Sequence, residues 1–158
     1  MSLPDHDRPL NKRGKQAAPL MGKRLKNKAI HPQKIISSSA NRALKTAHLT
    51  AQQLNYPSKD IVIDSNLYHA STYEMLKIIA QTSDDIDKLM LVAHNPGITS
   101  LCNQLLENNH HYFANIPTAG LVTISIAVNN WRQITKTTIS AAQIKINLID
   151  YDYPKLAT

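Results

Sequence analysis

The chain has 158 residues, 42% of them hydrophobic, and a formal net charge of +7. That length suits one domain with a core of its own, without covalent staples. Its single cysteine, Cys102, excludes an internal disulfide and any cysteine-based metal cluster, so a reducing compartment is the expected setting. No apolar run approaches the ~20 residues of a membrane helix. Met1 to Asp7 is acidic and proline-containing rather than signal-like, and a soluble, cytoplasmic protein is expected. The charge is uneven. Residues 1–59 hold 12 Lys/Arg against 2 Asp, a net of +10, and residues 60–158 hold 6 Lys/Arg against 9 Asp/Glu, a net of −3. The basic half suits an anionic partner such as phosphate, nucleic acid or an acidic protein, or else a solvated helix face.

In chain order, residues 1–12 lack an apolar period and read as a loop. From Gly14, the residues Ala17, Ala18, Met21 and Leu25 recur at helical spacing, with Pro19 inside the pattern. Lys34 to Ser37 is a short β-branched strand. Ser38 or Ser39 is placed to cap a helix whose core face is Ala40, Ala43, Leu44, Ala47, Ala51 and Leu54. Asp60 to Ile63 is a second strand. Ser71 with Glu74 makes a capping box for a helix carrying Met75, Leu76 and Ile79. Asp84 to Asp87 is an exposed acidic turn, and Leu89 to Ala93 fits a strand buried on both faces. His94-Asn95-Pro96-Gly97 ends it, and Ile98, Leu101, Cys102 and Leu105 mark another helix. Val122, Ile124 and Ile126 alternate, as do Ile144, Ile146 and Leu148, which reads as two strands pairing at an edge. The expected fold class is α/β: a three-layer α/β/α sandwich with helices on both faces of a mostly parallel sheet, in a single domain over 1–158.

In such sheets ligands bind outside the carboxyl ends of the strands. There the sequence places Ser38, Ser39 and Arg42 after one strand, and His94 and Asn95 after another. Helix N-termini and an arginine fork both favour an anion. Alone, the arginine reads more readily as a solvated surface residue and the histidine as a structural one. Their shared sheet edge makes them candidates. There is no Gly-rich phosphate loop and no H-E-x-x-H pair, and the adjacent His110-His111 reads as a loop rather than a metal site.

Asp7-Arg8-Pro9-Leu10-Asn11-Lys12-Arg13-Gly14, Ser37-Ser38-Ser39-Ala40-Asn41-Arg42-Ala43-Leu44-Lys45-Thr46-Ala47 and Leu67-Tyr68-His69-Ala70-Ser71 are followed by Val92-Ala93-His94-Asn95-Pro96-Gly97, Ile116-Pro117-Thr118-Ala119-Gly120 and Asp152-Tyr153-Pro154-Lys155. In this order they resemble the SixA-type phosphohistidine phosphatases of the histidine phosphatase superfamily, with the phosphoglycerate mutase-like fold. The resemblance implies metal-free, cofactor-free phosphoryl transfer: a histidine nitrogen attacks phosphorus, and water then hydrolyses the phosphohistidine enzyme. It implies that Arg42 and His94 are catalytic, surrounding the phosphoryl oxygens. Arg8 is an expected guide for the phosphate and Asn95 an expected substrate-binding residue. His69 is expected to be structural or at the rim.

The family opens with a strand ending in R-H-G or R-H-A, and no Arg-His pair occurs in this sequence. The expectation is a chain lacking that strand and its nucleophile, and therefore inactive. A start codon assigned to an internal methionine, a true N-terminal deletion and a cloning scar at Met1–Leu3 all fit. Because the strand is central, its loss would leave unpaired edges and an apolar gap, compensated by a homodimer, a swapped strand or another segment filling the slot. His6, beside Asp5 and Asp7, is expected to be solvated rather than a substitute nucleophile. The expected partner is phosphate, or phosphohistidine on a phosphotransfer protein. Imidazole, with a conjugate-acid pKa near 6.5, leaves without a strong acid, and no glutamate donor can be placed here. A non-catalytic phosphate-binding remnant is the alternative. Nucleic-acid binding ranks lower, because the Lys/Arg are not interleaved with aromatics, and Trp131 and Phe113 are distant in sequence.

Overall fold

Asn11 starts the first helix: its side-chain oxygen accepts a hydrogen bond from the Gly14 amide at 2.8 Å. The computed structural model describes residues 3–155, so Met1 and Ser2 of the expected loop lie outside the described residues. Within that loop, Asp5–Asp7 forms one 3-10 turn. Helix α1 spans Lys12–Asn27 and buries Gly14, Ala17, Ala18, Met21, Gly22 and Leu25, the predicted stripe. Pro19 sits inside it and removes the bond to the Lys15 carbonyl. Strand β1 (Lys34–Ser38) leads to α2 (Asn41–Gln53), which packs against α1. Gly22 lies at that crossing, where a Cβ would meet the Thr50 carbonyl at 2.9 Å, so only glycine allows the close approach. The expected serine cap is not formed. Strand β1 runs on through Ser38, α2 begins one residue after Ala40, and the Ser38 hydroxyl accepts from the Ala40 amide at 3.2 Å instead.

Strand β2 is Val62–Asp64, two residues later than expected, because Ser58–Asp60 forms a 3-10 turn. Helix α3 (Thr72–Ala80) opens on the predicted capping box, with Ser71 and Glu74 bonded reciprocally at 3.1 Å. Strand β3 (Leu89–Val92) and helix α4 (Gly97–Leu105) follow, then β4 (Leu121–Ala127), the short α5 (Lys136–Ser140) and β5 (Lys145–Asp152).

The parallel sheet has the order β2-β1-β3. Period-2 alternation sends Ile35, Met90 and Val92 toward α2, and Ile36, Leu89 and Leu91 toward the larger core formed with α3 and α4. The molecule is thus an α/β sandwich with a parallel sheet. Strands β4 and β5 pair with each other, antiparallel, and not with the parallel sheet. One irregularity, between Thr123 and Ile124, shifts the register from Asp150 to Leu148 and leaves Ile149 59% exposed.

The strand series therefore breaks in the middle. A cavity of about 640 Å³ separates β3 from β4, with Met90, Leu91, Leu101, Val122, Ile124 and Ile126 in its walls. This is why β3 is only half-buried rather than buried on both faces, as the apolar run predicted. Its outer edge, ~13 Å long at 3.3 Å per residue, has no strand beside it among the described residues. No described helix is long and apolar enough to cross a membrane.

Candidate functional site

Ser37 pairs with Val92, so β1 and β3 end side by side. The chain leaving β1 enters α2 and presents Arg42 in its first turn, and the chain leaving β3 presents His94. A third segment comes from β2. After the 3-10 turn Ser65–Leu67, which buries Leu67, it brings Tyr68 and His69 to the same edge. His69 adopts a left-handed backbone, φ 53°.

These residues converge on Asp5. Its Oδ2 accepts from the Tyr68 hydroxyl at 2.6 Å and from Arg42 Nη2 at 3.1 Å, and His69 Nε2 lies 3.5 Å away. Arg42 Nη1 donates to the Asp5 main-chain oxygen at 2.8 Å. The Tyr68 ring stacks on His69 at 4.0 Å, and His94 lies 5.6 Å from Tyr68 and 5.8 Å from His69, centroid to centroid. Neither ring nitrogen of His94 has a partner among the described residues, although both are buried from solvent. His6 is not simply solvated: its Nε2 lies 2.8 Å from the Ser39 hydroxyl, and its ring meets the edge of Tyr68 at 4.8 Å. The turn carrying it packs down on the start of α2, and this closes the distance.

The Tyr68 hydroxyl, and then the Arg42 guanidinium, hold the Asp5 carboxyl down at about 2. The same bond raises Tyr68. Burial pushes His94 below the ordinary histidine value of 6.5, Arg42 and His69 push it further, and Asp5 opposes them. A histidine depressed in the folded state stabilises the fold above its unfolded pKa, and loses that contribution as pH falls through the folded value. Thermal unfolding should therefore show lower stability at pH 5 than at pH 7.5, and His94→Asn should flatten that dependence. An unchanged slope in the variant would mean that the protonation lies elsewhere. Cys102 is no nucleophile, because burial pushes its thiol up to about 12.

One carboxylate and two imidazoles, with ligand atoms within 4.8 Å of one another at Asp5, His69 and His94, are of the types that hold divalent metals. The Arg42 guanidinium on the same carboxylate oxygen makes the position favourable for an anion and unfavourable for a cation.

Of the sequence candidates, Arg42 and His94 are brought together. Arg8 follows the Asp5–Asp7 turn, and its exposed side chain makes no hydrogen bond among the described residues. Asn95 is engaged in positioning. Its Nδ2 donates to the Ile116 carbonyl at 2.7 Å, and its Oδ1 accepts from the Thr99 hydroxyl at 2.6 Å, pinning the loop before β4 to α4. Asp5 and Tyr68 were not among the candidates. Tyr68 lay within a resembling segment, but Asp5 belongs to an aperiodic loop, and no sequence signal marks it.

In this α/β protein the segments that follow three parallel strands present an arginine, two histidines and a tyrosine around one carboxylate. Residues 4–81 match the family model of the histidine phosphatase superfamily (branch 1). A relative in Mycobacterium leprae, the uncharacterized protein ML1117, is 28% identical over 138 residues, 84% of this chain and 82% of the relative. The putative phosphohistidine phosphatase SixA from Agrobacterium tumefaciens superposes with a TM-score of 0.74 at 24% identity, covering 97% of this chain and 88% of that one. The protein histidine phosphatase SixA complexed with tungstate gives 0.76 at 17% identity, covering 98% and 89%. These structural likenesses show a shared fold. The chain is thus similar to the histidine phosphatase superfamily over residues 4–81, and along nearly its whole length it shares the fold of the SixA structures.

Proposed function

We propose that this chain is a SixA-type phosphohistidine phosphatase scaffold whose Arg42–His94 site receives a phosphoryl group, and that residues 1–158 alone bind this group without hydrolysing it. The observation that carries the reading is the convergence of Arg42, His94, His69 and Tyr68 on one carboxylate at the ends of adjacent parallel strands. A group of donors that holds a carboxylate also suits a phosphoryl oxygen. The tungstate bound by the SixA of similar fold is another tetrahedral oxyanion.

Turnover needs a histidine nitrogen that forms a bond to phosphorus as the bond to the leaving group breaks. Water then attacks phosphorus and releases the histidine. His94 is closed in, with no hydrogen-bond partner on either ring nitrogen among the described residues, and His69 is exposed beside Asp5. Neither is arranged as that nucleophile. The phosphoryl donor is proposed to be phosphohistidine on an acidic phosphotransfer protein, which suits the net charge of +10 on residues 1–59 (12 Lys/Arg minus 2 Asp).

The test titrates inorganic phosphate into the purified chain and incubates it with a phosphohistidine-bearing phosphotransfer domain. Saturable binding weakened in Arg42→Ala, with no acid-labile phosphate on the protein, is the expected result. Stoichiometric labelling would overturn the absence of turnover, and no binding would overturn the site.

The slot between β3 and β4 supports a second part of the proposal: a copy of this chain covers these edges, by dimerisation or a strand swap. Both facing edges carry backbone groups that need partners, and the walls are apolar. Native mass spectrometry should then give a dimer at micromolar concentration. A compact monomer would count against it.

A further inference from the structure

The Arg42 fork is already occupied. Both of its terminal nitrogens are spent on Asp5, one on the main-chain oxygen at 2.8 Å and one on the carboxylate at 3.1 Å. The carboxylate oxygen that Arg42 holds is the one that takes the Tyr68 hydroxyl and lies beside His69. A single carboxylate oxygen with an arginine, a phenol and an imidazole directed at it is held as a bound anion would be. This anion happens to be part of the chain.

We propose that Asp5 is an internal occupant of the oxyanion site, and that a phosphoryl group binds by displacing it and lifting the turn Pro4–Arg8 from the start of α2. This deepens the reading of the Arg42–His94 site as a phosphoryl site and rests on it. The turn is built to leave. It buries no residue of its own, so lifting it opens no core. Besides Asp5, two polar contacts to the rest of the described residues hold it: Asn41 Nδ2 to the Asp7 carbonyl at 2.9 Å, and the His6–Ser39 contact at 2.8 Å. Both are made by the same end of α2 that an incoming anion would approach.

Two other roles for Asp5 fit the geometry less well. A general acid must carry a proton near neutral pH, and this carboxyl, held at about 2, is ionised there. A metal ligand needs its lone pairs free of cations, and Arg42 lies on the oxygen that faces the two histidines. A competing anion accounts for all of the contacts. A phosphoryl dianion carries twice the charge of the carboxylate and more acceptor oxygens, and can therefore displace it. The tether gives Asp5 a high local concentration, which raises the ligand concentration needed.

The test is calorimetric titration of inorganic phosphate, and separately tungstate, into the wild-type chain, Asp5→Asn, Asp5→Ala and Asp5→Ala/Arg42→Ala. Removing the competitor should tighten phosphate binding at least tenfold in both Asp5 variants, and the double variant should bind about 10- to 100-fold more weakly than Asp5→Ala. Amide exchange supplies an independent readout. The Asp7 and Arg8 amides, bonded to the carbonyls of Pro4 and Asp5 at 3.0 and 3.2 Å, should exchange faster when the wild type is saturated with phosphate. If the Asp5 variants bind phosphate equally or more weakly than wild type, Asp5 belongs to the site or to the fold and the displacement idea fails. If the double variant binds as tightly as Asp5→Ala, the phosphoryl reading of Arg42 itself fails, so the two failures are told apart.

Discussion

Replacing Asp152 with alanine should destabilise the protein by about 3–5 kcal/mol. Asp152 is the most buried charge in the described structure, at 2% exposure, and it ties the end of β5 to α1 across the whole sequence. Arg24 Nη1 donates to its Oδ1 at 2.8 Å, Lys28 Nζ to its Oδ2 at 3.0 Å, and the Tyr153 amide to Oδ1 at 2.8 Å. Arg24 also caps the carbonyls of Tyr153 and Pro154. Without Asp152 the Arg24 guanidinium, 15% exposed, stays behind without a counter-charge, and this uncompensated charge causes the large loss. Asp150, which meets Lys28 at 2.7 Å with both side chains more than a third exposed, makes the control. Its alanine variant should lose no more than about 1 kcal/mol. Burial alone would raise the Asp152 carboxyl, but the Lys28 bond and the charges of Lys28 and Arg24 bring it below its ordinary 3.8. The contribution is therefore present above pH 3.8 and lost as pH falls further. Urea unfolding at pH 7 checks both variants. Equal midpoints for Asp152→Ala and Asp150→Ala would show that the inner pair is no stronger than a surface one.

Replacing Arg42 with alanine should weaken phosphate binding by about 10- to 100-fold, the loss expected for charge-assisted hydrogen bonds worth about 1.5–3 kcal/mol. Arg42 stands in the first turn of α2, so its fork, the helix dipole and the free amides at the helix start all act on one small volume. Arg42→Lys should recover only part of the loss, since a point charge lacks the two-pronged geometry. The measurement is best made in the Asp5→Ala background, where release of the internal carboxylate no longer offsets loss of the arginine. Thermal stability should hardly move, because the contacts of Arg42 are solvent-accessible and lie at the edge of the fold. A large drop in melting temperature with unchanged affinity would make Arg42 a structural residue.

Much of the architecture was legible from local patterns. The α1 stripe from Gly14 to Leu25, the Ser71–Glu74 box and the alternation in β4 each express a period or a cap that depends on near neighbours, and each formed where expected. The failures are just as local in cause. The Ser38 cap was lost because β1 continued by one residue, and the turn at Ser58–Asp60 moved β2 along the chain. The extra residue between β4 and β5 cannot be read from an alternating pattern, since Ile149 is apolar yet turned outward.

By itself the sequence determined the order of strands and helices, and it placed Arg42 and His94 after two strands, because helical and strand periods are written into the apolar residues and caps. Only the tertiary structure decided which strands lie side by side, because pairing is set by contacts between residues far apart in the chain. That decision put β1 next to β3 and so brought Arg42 and His94 to one edge. It also left a cavity between β3 and β4, where no described segment completes the sheet. And it laid an aperiodic loop over the start of α2, so that the Asp5 carboxylate stands on Arg42, the residue the sequence offered as a candidate phosphate binder.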